Sequence, residues 1–369
     1  MNAGSIRGLV LIFPGALGDL LLALPALRAV RASHAGHATL VVSGALRPLA
    51  ALTGIADRVA SLDDARSAWL FGGSVLPDWL EGRPSVVCWM GARDELRDRL
   101  ARVAAGVRLA GVERGGGATH AAASYARAMG LRLEPAALER GARLQPIDSA
   151  PARELLAALA RPVLAVHRGA GAACKRWDAE AFAAVAAGWR HAGGDVVELL
   201  GPAEEGEAAL AGAAVARDWP LPEVAALLAR VDAFVGNDSG VSHLAAAVGA
   251  RTVVVFTATD PRRWRPLGPR VRVVRRAGEF GAVVRRVLRS LAPMESLTST
   301  NPGSSVPASP ESARLRKSSS SASPAVSGDP RVVPRAKVDE RSGAPGGARK
   351  GRRQCPRRAP GAPNAPATR

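Results

Sequence analysis

Runs of four to six mostly apolar residues recur along this chain, each leading through a loop into a helix-length segment. The early runs are Gly8–Phe13, Thr39–Val42 and Val86–Met90; the later ones are Val163–Val166, Val196–Leu200, Val231–Val235 and Arg251–Phe256. Between or after them, Leu20–Arg31, Ala179–Gly193, Leu221–Arg230 and Phe280–Leu291 show helical spacing, with Asp178 placed to cap the second. Strands separated by helices pair through crossover connections, which make parallel sheets. The rhythm therefore constrains the chain to an α/β class with parallel βαβ units.

The rhythm breaks once and restarts. Gln145–Pro151 is polar, carries two prolines and reads as a linker. A chain of 369 residues is long enough for two cores. The expected organisation is a Rossmann-like domain over 1–150 and a second over 151–292, facing each other across a cleft. The segment from Asp57 to Pro84 has no clear period but contains Trp69, Phe71 and Trp79, and is expected to form a loop or lid. From 293 to 369, Ser, Pro, Ala, Gly and Arg dominate. So few large apolar side chains cannot offset the entropy of ordering, and a disordered basic tail is expected.

The formal charge is +18, but residues 296–369 hold 14 basic and 4 acidic residues, leaving about +8 for the body. A mildly basic body suits an anionic substrate or an anionic membrane surface. Nucleic acid is a weaker candidate: aromatic residues are only 4%, too few for a base-stacking platform. The three cysteines, Cys88, Cys174 and Cys355, form no CxxC pair, and no zinc spacing is present, so no metal site is expected. Leu9–Val30 has the apolarity of a signal or membrane segment, but Pro14, Asp19 and Pro25 interrupt it. An Asp at mid-bilayer costs roughly 2.5–3.5 kcal/mol, so the segment is read as strand, loop and helix in a cytoplasmic protein.

Three loops carry residue types suited to chemistry. The first is Gly236-Asn237-Asp238-Ser239-Gly240-Val241-Ser242-His243, between an apolar run and an Ala-rich segment. Asp238 can accept from sugar hydroxyls, and the Ser239 and Gly240 amides open a helix that favours an anion. An N-cap turn with Asp238 or Ser239 as the cap explains the same residues. The second loop, His167-Arg168-Gly169-Ala170-Gly171-Ala172-Ala173-Cys174-Lys175-Arg176-Trp177, offers glycines for close approach to a phosphate. In it, Lys175 and Arg176 bring positive charge, which stabilises a departing diphosphate, and Trp177 is suited to wall the site. A basic surface loop over a packed Trp177 is the rival reading. The third loop, Phe13-Pro14-Gly15-Ala16-Leu17-Gly18-Asp19, matches neither GxGxxG nor a Walker motif. Its Asp19 is either an acid complementing a helix N-terminus or a general base in the cleft. Glu204 and Glu205 follow a strand and are suited either to a ribose diol or to a helix start. Thr257, Thr259 and Asp260 end another strand on the same side.

Together, Gly15-Ala16-Leu17-Gly18-Asp19 with Leu24-Pro25-Ala26-Leu27-Arg28, His167–Trp177, Gly236–His243 and Thr259-Asp260-Pro261 resemble, in order, the motifs of glycosyltransferase family 9, the ADP-heptose:lipopolysaccharide heptosyltransferases. The resemblance covers roughly residues 7–292. It implies a GT-B fold and a metal-independent, inverting transfer from ADP-heptose to an inner-core or related glycan, on a lipid-linked or oligosaccharide acceptor. It implies Asp19 as the base, with Gly15 and Gly18 in the acceptor-side loop. Gly169, Gly171, Lys175, Glu205, Asp238, Ser239, Gly240 and His243 would then hold the donor, Lys175 at the diphosphate and Glu205 at the ribose. Peripheral contact with the inner membrane leaflet follows from a lipid-linked acceptor. The chain departs from the family where Arg168 replaces a frequent Pro and where Ala170, Ala172 and Ala173 replace hydroxyl residues. Those departures keep two alternatives open: another nucleotide sugar, or a binding scaffold without catalysis.

Overall fold

The computed structural model describes residues 8–291 apart from 92, 112–118 and 146. The tail expected over 293–369 lies outside the described residues. The first sheet contains β1 (Leu9–Ile12), β2 (Ala38–Val42), β3 (Arg58–Ser61), β4 (Ser85–Cys88) and β5 (Gly106–Leu109), in the order β3-β2-β1-β4-β5. The second contains β6 (Val163–His167), β7 (Asp195–Leu200), β8 (Ala214–Arg217), β9 (Ala233–Asn237), β10 (Thr252–Phe256) and β11 (Val271–Arg275), in the order β11-β10-β9-β6-β7-β8. Every pairing is parallel.

Helices α1 (Leu17–Ala32), α2 (Arg47–Ala51), α3 (Asp94–Val103), α4 (Ala121–Arg127), α5 (Pro135–Gly141) and α6 (Ala150–Ala157) belong to the first half of the chain. Helices α7 (Ala179–His191), α8 (Leu221–Leu228), α9 (Gly240–Ala247), α10 (Pro261–Trp264) and α11 (Phe280–Leu291) belong to the second. This is the GT-B arrangement of two parallel sheets with flanking helices. The stretch read as a linker already begins α6, where Ser149 Oγ accepts from the Ala152 amide at 3.3 Å.

Period-two alternation assigns each strand's side chains to two layers. In β1, Leu9 and Leu11 face a core built on α1, while Val10 and Ile12 face one built on Trp69, Trp79, Leu96 and Leu100. Central strands are covered on both faces, which is why β1, β6 and β10 are buried along their whole length and mostly apolar. The segment expected as a lid is instead a packed wall. It supplies β3 and two 3₁₀ turns, Ala65–Phe71 and Asp78–Leu80, and buries Trp69 and Trp79 against the first sheet. Burying two indoles removes more apolar area from water than a mobile lid would; Phe71 alone of its aromatics is exposed, at 64%.

One core runs through both halves, joining Leu20, Leu24 and Leu27 of α1 to Phe234, Leu244 and Ala245. Its centre is the packing of α1 against α9, whose N-termini meet without room for a side chain at two glycines. A Cβ at Gly240 would lie 2.8 Å from Leu17 Cβ, and one at Gly18 would lie 3.1 Å from His243 Cδ2. Strand order also reverses direction at β1/β4 in one sheet and at β6/β9 in the other. Loops leaving the carboxyl ends of strands at such reversals form the natural crevice of an open α/β sheet. The loops after β1, β6 and β9 are the three singled out by sequence.

Candidate functional site

Asp238, directly after β9, is 5% exposed. Its Oδ2 accepts from Lys175 Nζ at 2.8 Å and from Thr259 Oγ1 at 2.6 Å. Ser239 is the N-cap residue of α9, and no side chain caps that helix. The N-cap reading holds for the position of Ser239 but not for a side-chain cap: the Asp238 carboxylate turns toward Lys175, and the first α9 amides have no intrahelical acceptor. Ser239 Oγ lies 3.3 Å from His167 Nδ1, and buried Ser242 donates to the Asn237 carbonyl at 2.6 Å. Asp260 stays apart, capping α10 through the Arg262 amide at 3.0 Å and pairing with Arg275 at 3.1 Å.

The loop after β6 is pinned at both ends by Asn237, which is fully buried. Asn237 Nδ2 donates to the Arg168 carbonyl at 2.6 Å, and its Oδ1 accepts from the Trp177 amide at 2.9 Å. A Cβ at Gly169 would overlap Glu204 Oε1, so any larger residue there would require the Glu204 carboxylate to move. Gly171 meets nothing within 4 Å and is exposed. Trp177 does not wall the crevice. It is 4% exposed and packs edge-on against Phe182 at 5.1 Å, where its indole is better removed from water. Asp178 occupies the N-cap position of α7 but makes no cap bond, pairing instead with Arg276 at 3.1 Å.

Glu204 and Glu205 diverge. Glu204 is 2% exposed, accepts from the Gly201 amide at 3.0 Å and approaches His167 Nε2 at 3.8 Å. Burial pushes its carboxyl up, but His167, the Gly201 amide and Arg176 outweigh it and hold the group below the usual range. Glu205, the residue the family resemblance assigns, is exposed and stands outside this cluster. The spacing from Gly201 to Glu204 is that of a capping turn, which is the signal that separates the two acids.

Asp19 lies in the first turn of α1, half-buried. Its Oδ1 accepts from Tyr125 Oη at 2.8 Å. Tyr125 is the chain's one tyrosine, on α4 and edge-on to Phe13 at 5.5 Å. Sequence reading missed it, since nothing local links residues more than a hundred positions apart. Gly15 keeps the turn closed: a Cβ would overlap Phe13 Cε1 and lie 2.7 Å from Asp19 Cβ.

His243 lies where the two helix starts meet. Burial pushes its imidazole down to about 4, while the carboxylates of Asp238 and Asp19 pull the other way. The structure thus gathers Asp19, His243, Asp238, Ser239, Gly240 and Lys175 at one junction, with Gly169 alongside at His167 and Glu204. It presents a hydrogen-bonded carboxylate from the first sheet opposite a carboxylate, an ammonium and a free helix N-terminus from the second. Such a set can accept a proton, bind hydroxyls and neutralise a phosphate.

Residues 117–287 match the model of glycosyltransferase family 9 (heptosyltransferase). A segment of 102 residues is 33% identical to lipopolysaccharide heptosyltransferase 3 of Escherichia coli, spanning 25% of this chain and 30% of that relative's length. Among solved structures, a family 9 glycosyltransferase from Veillonella parvula superposes with a TM-score of 0.60 at 18% identity, covering 79% of this chain and 95% of its own. The E. coli ADP-heptose lipopolysaccharide heptosyltransferase II gives 0.56 at 19% identity, over 77% and 97%. E. coli heptosyltransferase WaaC with ADP-2-deoxy-2-fluoro heptose gives 0.55 at 20% identity, over 78% and 100%. At these identities the structural likeness concerns the fold.

Proposed function

We propose that this chain, which matches the glycosyltransferase family 9 model over residues 117–287, is a member of that family and an inverting glycosyltransferase that moves heptose from ADP-heptose to an inner-core or related glycan acceptor. The observation that carries the proposal is the Lys175–Asp238–Thr259 cluster beside the α9 N-terminus, facing Asp19 across the α1–α9 junction. The sugar nucleotide in the WaaC structure, ADP-2-deoxy-2-fluoro heptose, agrees with it.

In this proposal the acceptor hydroxyl attacks the anomeric carbon as its proton passes to Asp19. Tyr125 occupies Oδ1 and leaves Oδ2 as the receiving atom. The new carbon–oxygen bond forms while the bond to the β-phosphate breaks, and ADP carries the electron pair away. Negative charge grows on the diphosphate, where Lys175 and the α9 amides supply compensation. Without donor, Lys175 and Asp238 satisfy each other. An arriving diphosphate competes for the ammonium and frees the Asp238 carboxylate for sugar hydroxyls. Ser239 and Gly240 border the phosphates through their amides, and Gly169 and Gly171 let the loop follow them. Exposed Glu205, rather than the engaged Glu204, is the carboxylate available to a ribose diol. No step requires a metal, so turnover should persist in chelator. A lipid-linked acceptor would place the reaction in the cytoplasm, at the cytoplasmic face of the inner membrane, with Gly15 and Gly18 on the acceptor side.

The test is Asp19→Asn. General-base loss should lower turnover by about 10²–10⁴-fold while calorimetric ADP affinity stays near wild type. Near-normal turnover in the variant would remove Asp19 from the mechanism. Donor binding without transfer by the wild-type protein would favour a scaffold.

A further inference from the structure

Glu198 is a carboxylate in the interior of β7, fully buried, with Val196, Val197, Leu199 and Leu200 of the same strand also buried. A buried charge persists only when it is paired and its lone pairs are filled. Both conditions are met by partners outside the sheet. Oε1 accepts from Arg168 Nε at 2.5 Å, and Oε2 accepts from the Leu210 amide at 2.6 Å. Arg168 uses a second arm, Nη2, to hold the Ala208 carbonyl at 2.7 Å. Its own carbonyl is held by Asn237 at the end of β9.

Arg168 therefore ties together three separate pieces: the start of the loop after β6, the segment 208–210, and the end of β9. These lie around the donor site of the proposed function. Gly169, the next residue, has Glu204 against it where a Cβ would be. The far end of the same loop reaches the same segment, with Arg176 paired to Glu207 at 2.8 Å. That outer pair is solvent-exposed and contributes little; the inner one is out of water.

We propose that Arg168 is a positioning residue: through Glu198 and Ala208 it fixes the spacing between the phosphate-side loop 169–175 and the ribose-side loop 202–210, and so sets the affinity for a nucleoside diphosphate. This rests on the nucleotide-sugar reading above. The guanidinium suits the task because its planar fork reaches the carboxylate and the carbonyl from two separate nitrogens, where a lysine offers a single nitrogen. If the pair served stability alone, an apolar pair of similar volume would replace it without functional loss, as buried ion pairs often allow.

The test uses the full chain with Arg168→Met, the double variant Arg168→Met/Glu198→Leu, and Arg168→Lys. Melting temperature, hydrogen exchange of amides in 169–175 and 202–210, and calorimetric affinity for ADP are measured. The single Met variant should melt well below wild type, because Glu198 is left buried and unpaired. The double variant should regain most of the melting temperature lost in the single variant, less the cost of the Leu210 amide left without its acceptor, yet exchange faster in both loops and bind ADP on the order of tenfold more weakly. Wild-type exchange and affinity in the double variant would overturn the proposal. Should the double variant fold poorly, Arg168→Lys decides: it keeps the charge and loses the second arm. Weakened ADP binding at near-normal melting supports the proposal, and unchanged binding overturns it. If wild type binds no ADP while both loops still loosen together in the variants, the positioning role stands and the nucleotide assignment falls.

Discussion

Acidification should destabilise this protein through His243 in particular. Burial pushes the imidazole down to about 4, whereas the same group in the unfolded chain titrates near 6.5. Below about 6.5 the unfolded chain binds a proton that the folded protein refuses, so stability falls as pH drops and levels off below about 4. Two and a half pK units correspond to roughly 3 kcal/mol in full, of which about 2 kcal/mol is lost by pH 5. The partners facing the ring are Asp238 and Asp19, which favour protonation, and His120 and Lys175, which oppose it. His243→Asn removes the titration while leaving the other groups in place. Urea denaturation at pH 7 and pH 5 on both proteins forms a cycle in which the substitution's own cost and the shared titrations cancel. Wild type should lose about 2 kcal/mol more than the variant between the two pH values. Equal losses would refute the burial argument, and with it the close meeting of α1 and α9 at this ring.

Two further substitutions probe the same junction. Lys175→Ala should weaken ADP binding by about tenfold or more, since it removes the ammonium beside the diphosphate; unchanged calorimetric affinity would take Lys175 out of the phosphate site. Gly240→Ala places a Cβ 2.8 Å from Leu17 Cβ. Overpacking of this kind should cost about 1–3 kcal/mol in denaturant unfolding, and a neutral result would mean that the helix starts are farther apart than described.

Which strands were legible in the sequence follows from where they sit. The seven apolar runs correspond to β1, β2, β4, β6, β7, β9 and β10, all interior to their sheets. The four that sequence reading did not resolve, β3, β5, β8 and β11, are the four sheet edges. An edge strand is covered less completely, and β5 (GVRL) and β11 (VRVVR) mix charged with apolar residues accordingly. Helix α11 was readable to its ends because its apolar and basic residues alternate with helical spacing over twelve residues. At the site, loops with glycines and charges stood out locally, but their pairings did not. Lys175 meets Asp238 across 63 positions, and Tyr125 meets Asp19 across 106. Arg168 looked like a mere departure from the family pattern until Glu198, a lone acid in an apolar strand, supplied its partner.

Calorimetry of the full chain with ADP-heptose, ADP-glucose and UDP-glucose, with Asp238→Ala as control, tests the central claim most directly. Selective binding of ADP-heptose, lost in the control, is the expected result. Preferential binding of ADP-glucose or UDP-glucose would contradict the donor assignment, and binding of ADP-heptose that survives Asp238→Ala would contradict the site.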